Sequence, residues 1–304
     1  MPAIRQVIRT LAKTPGFTIV AILTMALGIA ANTAIFSIVN AVLLRPLPFR
    51  DESRVVRVFP VEPRGRSNHS AGEFLDLKRE NRTLDALAGF RGELGAASVR
   101  TGEAIQLGLQ HVTADFFDVF GTPPALGRTF GGTTDAHAGE RQVVISDDAW
   151  ERLFARDRDA IGRRIRVNGE TCTVVAVMPK AFDWPEGSGL WLLARKAVPP
   201  SPLDIKDDDL VASRDSHYFE AVARLKPGVT PAQAQQDLRA ILTRTQTPSQ
   251  PADGTRDIQI VPVREDLVGD SRQALLVIQG AVGLVLLVAC ANISSLLILS
   301  LIHI

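Results

Sequence analysis

Two long stretches without a single charged residue constrain this 304-residue chain more than any other feature. The first covers residues 17–44 and the second residues 273–302, and every acidic side chain falls between them, from Asp51 to Asp270. Coiled as a helix, 28 residues rise about 42 Å, enough to cross the roughly 30 Å hydrocarbon core of a bilayer with some tilt. The pattern predicts two membrane spans that bracket one polar domain, both ends of which meet the same membrane face. The averages, 46% hydrophobic and 22% charged, would suit a soluble enzyme; their segregation along the chain argues against one.

Charge sets the orientation. Arg5, Arg9 and Lys13 precede the first block and no acid occurs before Asp51, so the short N-terminal stub is expected on the cytoplasmic side. Arg45, Arg50, Arg54 and Arg57 flank the far side, but long domains are exported largely regardless of charge, which places the polar domain outside the plasma membrane. Between Arg45 and Arg272 lie 31 basic and 33 acidic residues, a net charge of −2. That balance leaves no cationic surplus for nucleic acid phosphates. Gly28, Ala30 and Ala31 resemble a signal-peptide cleavage site, yet the apolar run continues to Leu44, well past an h-region of about 7–15 residues. Ahead of it, Ile4, Val7, Ile8 and Leu11 recur at helical spacing, and residues 1–16 read as an amphipathic helix in the membrane interface.

Each block carries residues suited to helix–helix packing. Ala26, Ala30 and Ala34 form a small-xxx-small stripe in the first, with Asn32 and Asn40 as amides that lipid does not solvate. Gly280, Gly283, Asn292, Ser294 and Ser295 repeat the theme in the second. Such residues let helices approach closely and hydrogen-bond across the contact, so they are expected to pack rather than to line a transport path.

Within the polar domain, strands are expected at residues 55–59, 105–112, 142–145, 190–193, 218–225 and 258–263, and helices at 71–80 (with Ser70 as its cap), 114–120 and 147–154. Asn168-Gly169 between β-branched runs predicts a type I′ hairpin joining 163–167 to 171–177. A helix with Pro231 in its first turn is expected to bury Ala234, Leu238, Ile241 and Leu242. The alternation of elements is α+β, with two subdomains, the stretch 123–215 being inserted into the first.

Few residues suggest chemistry. The five histidines, at 69, 111, 137, 217 and 303, lack metal-site spacing. Cys172 and Cys290 fall in different segments and give no disulfide framework. Asp215-Ser216-His217 contains triad residue types, but no nucleophile elbow accompanies it. Asp207, Asp208 and Asp209 lack the glycine and distal glutamate of a calcium loop, and no P-loop is present. Trp150, Trp184, Trp191, Phe154 and Phe182 read as core. No catalytic, cofactor-binding or metal-binding residue is expected.

The string TPGFTIVAILTMALGIAANTAIFSIVNAVLLRPLPF, residues 14–49, resembles the opening of the permease subunits of the MacB and FtsX-like class of ABC transporters. ADFFDVFGTPPALGRTF (114–130), VVISDDAWERLF (143–154), IGRRIRVNGETCTVVAVMP (161–179) and ARLKPGVTPAQAQQDL (223–238) follow in order. They are similar to the MacB-like periplasmic core domain, as in duplicated orphan permeases carrying two such modules. The resemblance implies a bacterial inner-membrane, multi-pass permease that pairs as a homo- or heterodimer and is driven by an ABC-type ATPase that binds ATP, sometimes with a periplasmic adaptor. It also implies mechanotransmission, the coupling of nucleotide state to periplasmic movement or efflux. On this reading residues 1–16 are cytoplasmic, 17–44 the first span and 45–272 the periplasmic core domain. That domain divides into a porter-like part (51–122 and 216–270) and an inserted lobe (123–215), and residues 273–298 form the second span. The alternative is a membrane-tethered binding or scaffold module without transport activity. The last six residues, LSLIHI (299–304), match the translation of a sequencing-transposon end, CTG TCT CTT ATA CAC ATC. The expectation is therefore that genuine sequence stops near residue 298 and the family's later spans are cut off.

Overall fold

β-branched and aromatic residues at alternating positions give the polar domain its sheet. The computed structural model describes residues 15–40, 43, 46–99, 104–130, 141–202, 214–245 and 257–302. The interfacial helix expected at 1–16, the Asp207–Asp209 run, His137 and His303 lie outside the described residues, apart from the last two positions of that helix.

The chain divides into two units. One spans Leu47–Asp266, and the other joins the segment ending at Pro46 to the segment from Leu267. In the first unit the strands are β1 (Val55–Glu62), β2 (Gly65–Arg66), β3 (His69–Ser70), β4 (Leu84–Ser98), β5 (Ile105–Val112), β6 (Leu126–Gly127), β7 (Arg141–Ile145), β8 (Arg164–Val167), β9 (Glu170–Val177), β10 (Ser188–Leu193), β11 (His217–Leu225) and β12 (Asp257–Pro262). Their order across the sheet is β12-β1-β11-β4-β5-β10-β7-β9-β6, with β8 bridging β4 and β9. Pairing is antiparallel except for β5 with β10 and β7 with β9.

The strand, helix and hairpin expectations hold to within a few residues. Asn168 and Gly169 sit at φ 49° and 86°, the left-handed pair that a type I′ turn requires. The helices are α1 (Pro15–Val39), α2 (Ala71–Glu80), α3 (Phe116–Phe120), α4 (Asp147–Phe154), α5 (Pro231–Thr245) and α6 (Val263–Ile302). Ser70 stands at the N-cap position of α2 but makes no capping hydrogen bond, and its buried hydroxyl has no partner among the described residues. Thr230 and Gln233 instead form a reciprocal capping box at α5, with Gln233 N–H to Thr230 Oγ1 at 3.2 Å and Thr230 N–H to Gln233 Oε1 at 2.9 Å.

The longest strand was not legible. β4 reads LDALAGFRGELGAAS, and glycine within a strand weakens it. Neighbours explain the glycines: a Cβ on Gly89 would lie 2.9 Å from the Phe219 ring and one on Gly95 2.9 Å from Leu109 Cβ. Central strands are buried on both faces, as β11 shows. Ala221 and Ala223 pack with Val56, Val58, Phe74 and Leu238 under α2 and α5, while Val222 turns to the opposite cluster. That second cluster is aromatic: Phe90, Phe116, Phe117, Phe120, Phe182, Trp184 and Trp191 meet at ring-centroid distances of 4.7–6.0 Å, edge-on or tilted as ring quadrupoles favour. A third core, under α4, gathers Val143, Ile145, Ile165, Val174 and Leu190.

In the second unit, Thr18–Val39 and Arg272–Ser294 are each long and apolar enough to cross a membrane. Their large apolar side chains stand exposed, Leu27 at 74% and Leu287 at 66%.

Candidate functional site

The segment that follows α1 is strapped onto the sheet domain. Phe49, 8% exposed, stacks 4.7 Å from Phe120. Arg50 N–H donates to Phe120 O at 3.0 Å, and Thr122 Oγ1 donates to Pro48 O at 2.6 Å. Beneath this strap lies Arg224 of β11, only 5% exposed. Among the described residues no carboxylate pairs with it directly. Its Nε donates to Val119 O at 2.7 Å and its Nη2 to Phe120 O at 2.9 Å and Arg50 O at 2.6 Å. These are the last carbonyls of α3 and one from the strap, so the guanidinium closes a helix C-terminus and holds the incoming chain at once. Desolvation lowers the Arg224 pKa, without removing its charge.

The strap and the start of α6 then meet. Arg264, in the first turn of α6, donates to Glu52 through Nε at 3.1 Å to Oε1, and through Nη2 at 2.8 Å to Oε1 and 2.9 Å to Oε2. Glu52 Oε2 also accepts from Leu47 N–H at 2.6 Å. Two residues on, Asp266 accepts from Arg66 Nη1 at 2.9 Å and lies 3.7 Å from Arg57 Nη1. The Arg57 guanidinium also bonds Glu220 and lies over Phe59, 4.8 Å from the ring centroid. Acids in a first helical turn suit the positive end of the dipole. The arrangement is a clasp: it fixes the two points where chain enters and leaves the domain.

Between the apolar helices, Asn32 Oδ1 accepts from Gln279 Nε2 at 2.8 Å, and a Cβ on Gly28 would come within 3.0 Å of Leu286. Asn32 is thus engaged, whereas Ala26, Ala30, Ala34, Asn40, Gly280 and Asn292 are exposed and Gly283 is half-buried. No neighbour stands within 4 Å of a Cβ built on Gly280 or Gly283. Ser295 belongs to α6, but its side chain lies outside the described residues. Sequence reasoning missed Gly28, Gln279 and the clasp. Its signal was there: complementary charges at the two ends of the polar domain, and an amide inside an uncharged block.

Histidine and cysteine chemistry does not converge. His217 Nε2 lies 3.7 Å from Glu73 Oε2, and no hydrogen bond joins His217 to Ser216 among the described residues. Among those residues no three metal-ligating side chains cluster. Cys172 is buried, which pushes its thiol up to about 11.

Residues 18–241 match the model of the MacB-like periplasmic core domain. Among solved structures, a domain described as that of a permease protein from Porphyromonas gingivalis aligns with a TM-score of 0.52 and 16% identity, over 70% of this chain and 91% of that one. The periplasmic region of MacB from Actinobacillus actinomycetemcomitans aligns at 0.48 and 14%, over 74% and 94%. The extracellular domain of the noncanonic ABC-type transporter YknZ from Gram-positive bacteria aligns at 0.47 and 14%, over 68% and 99%. No curated protein sequence matches. With three quarters of its length, from within the first apolar helix to the last helix of the sheet domain, covered by that model, the chain belongs to the MacB-like periplasmic core domain family.

Proposed function

We propose that the chain is a permease subunit of a MacB/FtsX-like ABC transporter, anchored in the bacterial inner membrane by α1 and α6 with its sheet domain in the periplasm. The observation that carries this reading is the reach of the family match, which begins at residue 18, inside the first apolar helix, and ends at residue 241 in α5. In this role the chain binds no nucleotide and catalyses nothing. A partner ATPase hydrolyses ATP, and rearrangement of the spans is passed to the periplasmic domain as a shift between discrete packings. The clasp supports such transmission, because Glu52 and Arg264 tie together the two points through which movement enters. The exposed Ala26, Ala30 and Ala34 stripe supports pairing with further helices, as from a second permease copy.

The test is co-purification of the full gene product, in nanodiscs, with its genomic neighbour ATPase. Association together with a changed rate of ATP turnover is the expected result. Failure to associate in both detergent and nanodiscs would overturn the permease reading in favour of a tethered scaffold.

A further inference from the structure

Neighbouring strands of the sheet turn side chains into one cavity of about 440 Å³. In the β4–β5 register Glu93 faces Leu109 and Arg91 faces His111. Leu192 of β10 stands beside His111 and opposite Val143, two positions from Arg141, so the period of two brings all of them to one sheet face. Leu109 and Leu192 are buried and form an apolar floor. Val198, Pro199 and Tyr218 wall it, with Tyr218 Oη donating to Pro199 O at 2.9 Å.

The rim is cationic and pre-organised. Arg91 donates through Nε to Pro200 O at 2.9 Å and through Nη2 to Glu93 Oε2 at 2.7 Å. Arg141 donates through Nε to Glu170 Oε2 at 2.9 Å and through Nη1 to Leu193 O at 2.8 Å. These bonds fix both guanidiniums, whose side chains are 14% and 17% exposed, and leave Nη1 of Arg91 and Nη2 of Arg141 without a partner among the described residues. Arg195, whose Nη2 donates to Glu170 Oε1 at 2.9 Å, and Lys196 join them, so among the described residues that line the cavity four cations face two carboxylates. His111 adds no charge near neutral pH: burial lowers its pKa against the opposing hydrogen bond to Glu93. Fixed guanidinium forks over an apolar floor match oxyanions attached to an apolar body, and the volume is that of a small-molecule site.

We propose that this cavity binds a small organic anion, its carboxylate or phosphate oxygens on the free arms of Arg91 and Arg141 and its apolar body on Leu109, Leu192 and Val198. The site is independent of the permease reading. Calorimetric titration of the full chain in a non-ionic detergent at low salt tests it, with benzoate, phenyl phosphate, inorganic phosphate and neutral benzamide as probes. Saturable binding of benzoate or phenyl phosphate but not benzamide is expected, and the tighter of the two identifies the oxyanion as carboxylate or phosphate. Arg91→Gln and Arg141→Gln should each weaken binding about tenfold. The rim pair Arg195→Gln/Lys196→Gln should weaken it about threefold, and Arg152→Gln on another surface should change nothing. No saturation by any probe at 10 mM, a concentration about tenfold above a millimolar Kd, would overturn the proposal. So would equal binding by wild type and the Arg91 and Arg141 variants, or inorganic phosphate binding as tightly as phenyl phosphate. Binding of an acidic protein segment but of none of these probes would reassign the groove to a protein partner and overturn it too.

Discussion

Arg264 grips Glu52 through both carboxylate oxygens, at 2.8 and 2.9 Å, across 212 residues of chain. Glu52 spends one of those oxygens a second time on Leu47 N–H, so a single carboxylate orders the strap and secures the first turn of α6. Both side chains are about one-third exposed, and solvent screening limits what the pair contributes to stability. Glu52→Gln and Arg264→Gln should each cost about 1 kcal/mol, and the double variant little more than either alone. Urea unfolding of the four proteins in the cycle checks this; additive losses would show that the two side chains act independently.

Arg224 is the harder residue to replace. Its removal takes a donor from the carbonyls of Val119 and Arg50, while Phe120 O keeps its bond from Arg50 N–H, and should cost about 1–3 kcal/mol for the unsatisfied polar groups. Arg224→Met fills most of the volume and isolates that loss. Its thermal midpoint should fall by several degrees, whereas Arg152→Met on the surface should leave it unchanged.

Acid should loosen the domain through His69. The ring is buried, and desolvation lowers its pKa from 6.5 to about 4 despite the hydrogen bond to Val58 O. The folded state therefore resists protonation that the unfolded chain accepts. Its stabilising contribution is complete above pH 6.5 and drains away as pH falls from about 6.5 towards 4, by roughly 3 kcal/mol at the limit. Melting curves at pH 7.5, 6.0 and 5.0 should show this decline. His69→Gln should flatten it; an unchanged acid slope in that variant would place the titration elsewhere.

Two glycines separate steric from conformational demand. A Cβ on Gly108 would lie 2.3 Å from Gly187 O, at the junction of β5 and β10, so Gly108→Ala must push backbone apart and should cost about 2–4 kcal/mol. Gly162 has open space but φ +82°, and Gly162→Ala should cost about 1 kcal/mol. Equal losses in denaturant titrations would contradict this assignment.

Much of this architecture is written locally. Alternating Val and Ile, the Asn168-Gly169 turn, the α5 face of Ala234, Leu238, Ile241 and Leu242, and the uncharged blocks all report themselves, because each depends on neighbours within a few residues. The order of segments from residue 114 to 238 carried the family as well. What stayed hidden depends on partners distant in sequence. The glycines of β4 look like strand breakers until Phe219 and Leu109 occupy the space above them. Ser70 resembles a cap until its neighbours bury its hydroxyl with no partner among the described residues. Glu52 and Arg264, Arg224 and its three carbonyls, and the guanidiniums of Arg91 and Arg141 become sites only when the sheet order places β11 between β1 and β4, and β5 and β10 between β4 and β7. Local periodicity determined which segments form strands, helices and candidate spans. Tertiary structure decided which charges meet, because electrostatic and steric contacts act through space, and sequence separation carries no information about that distance.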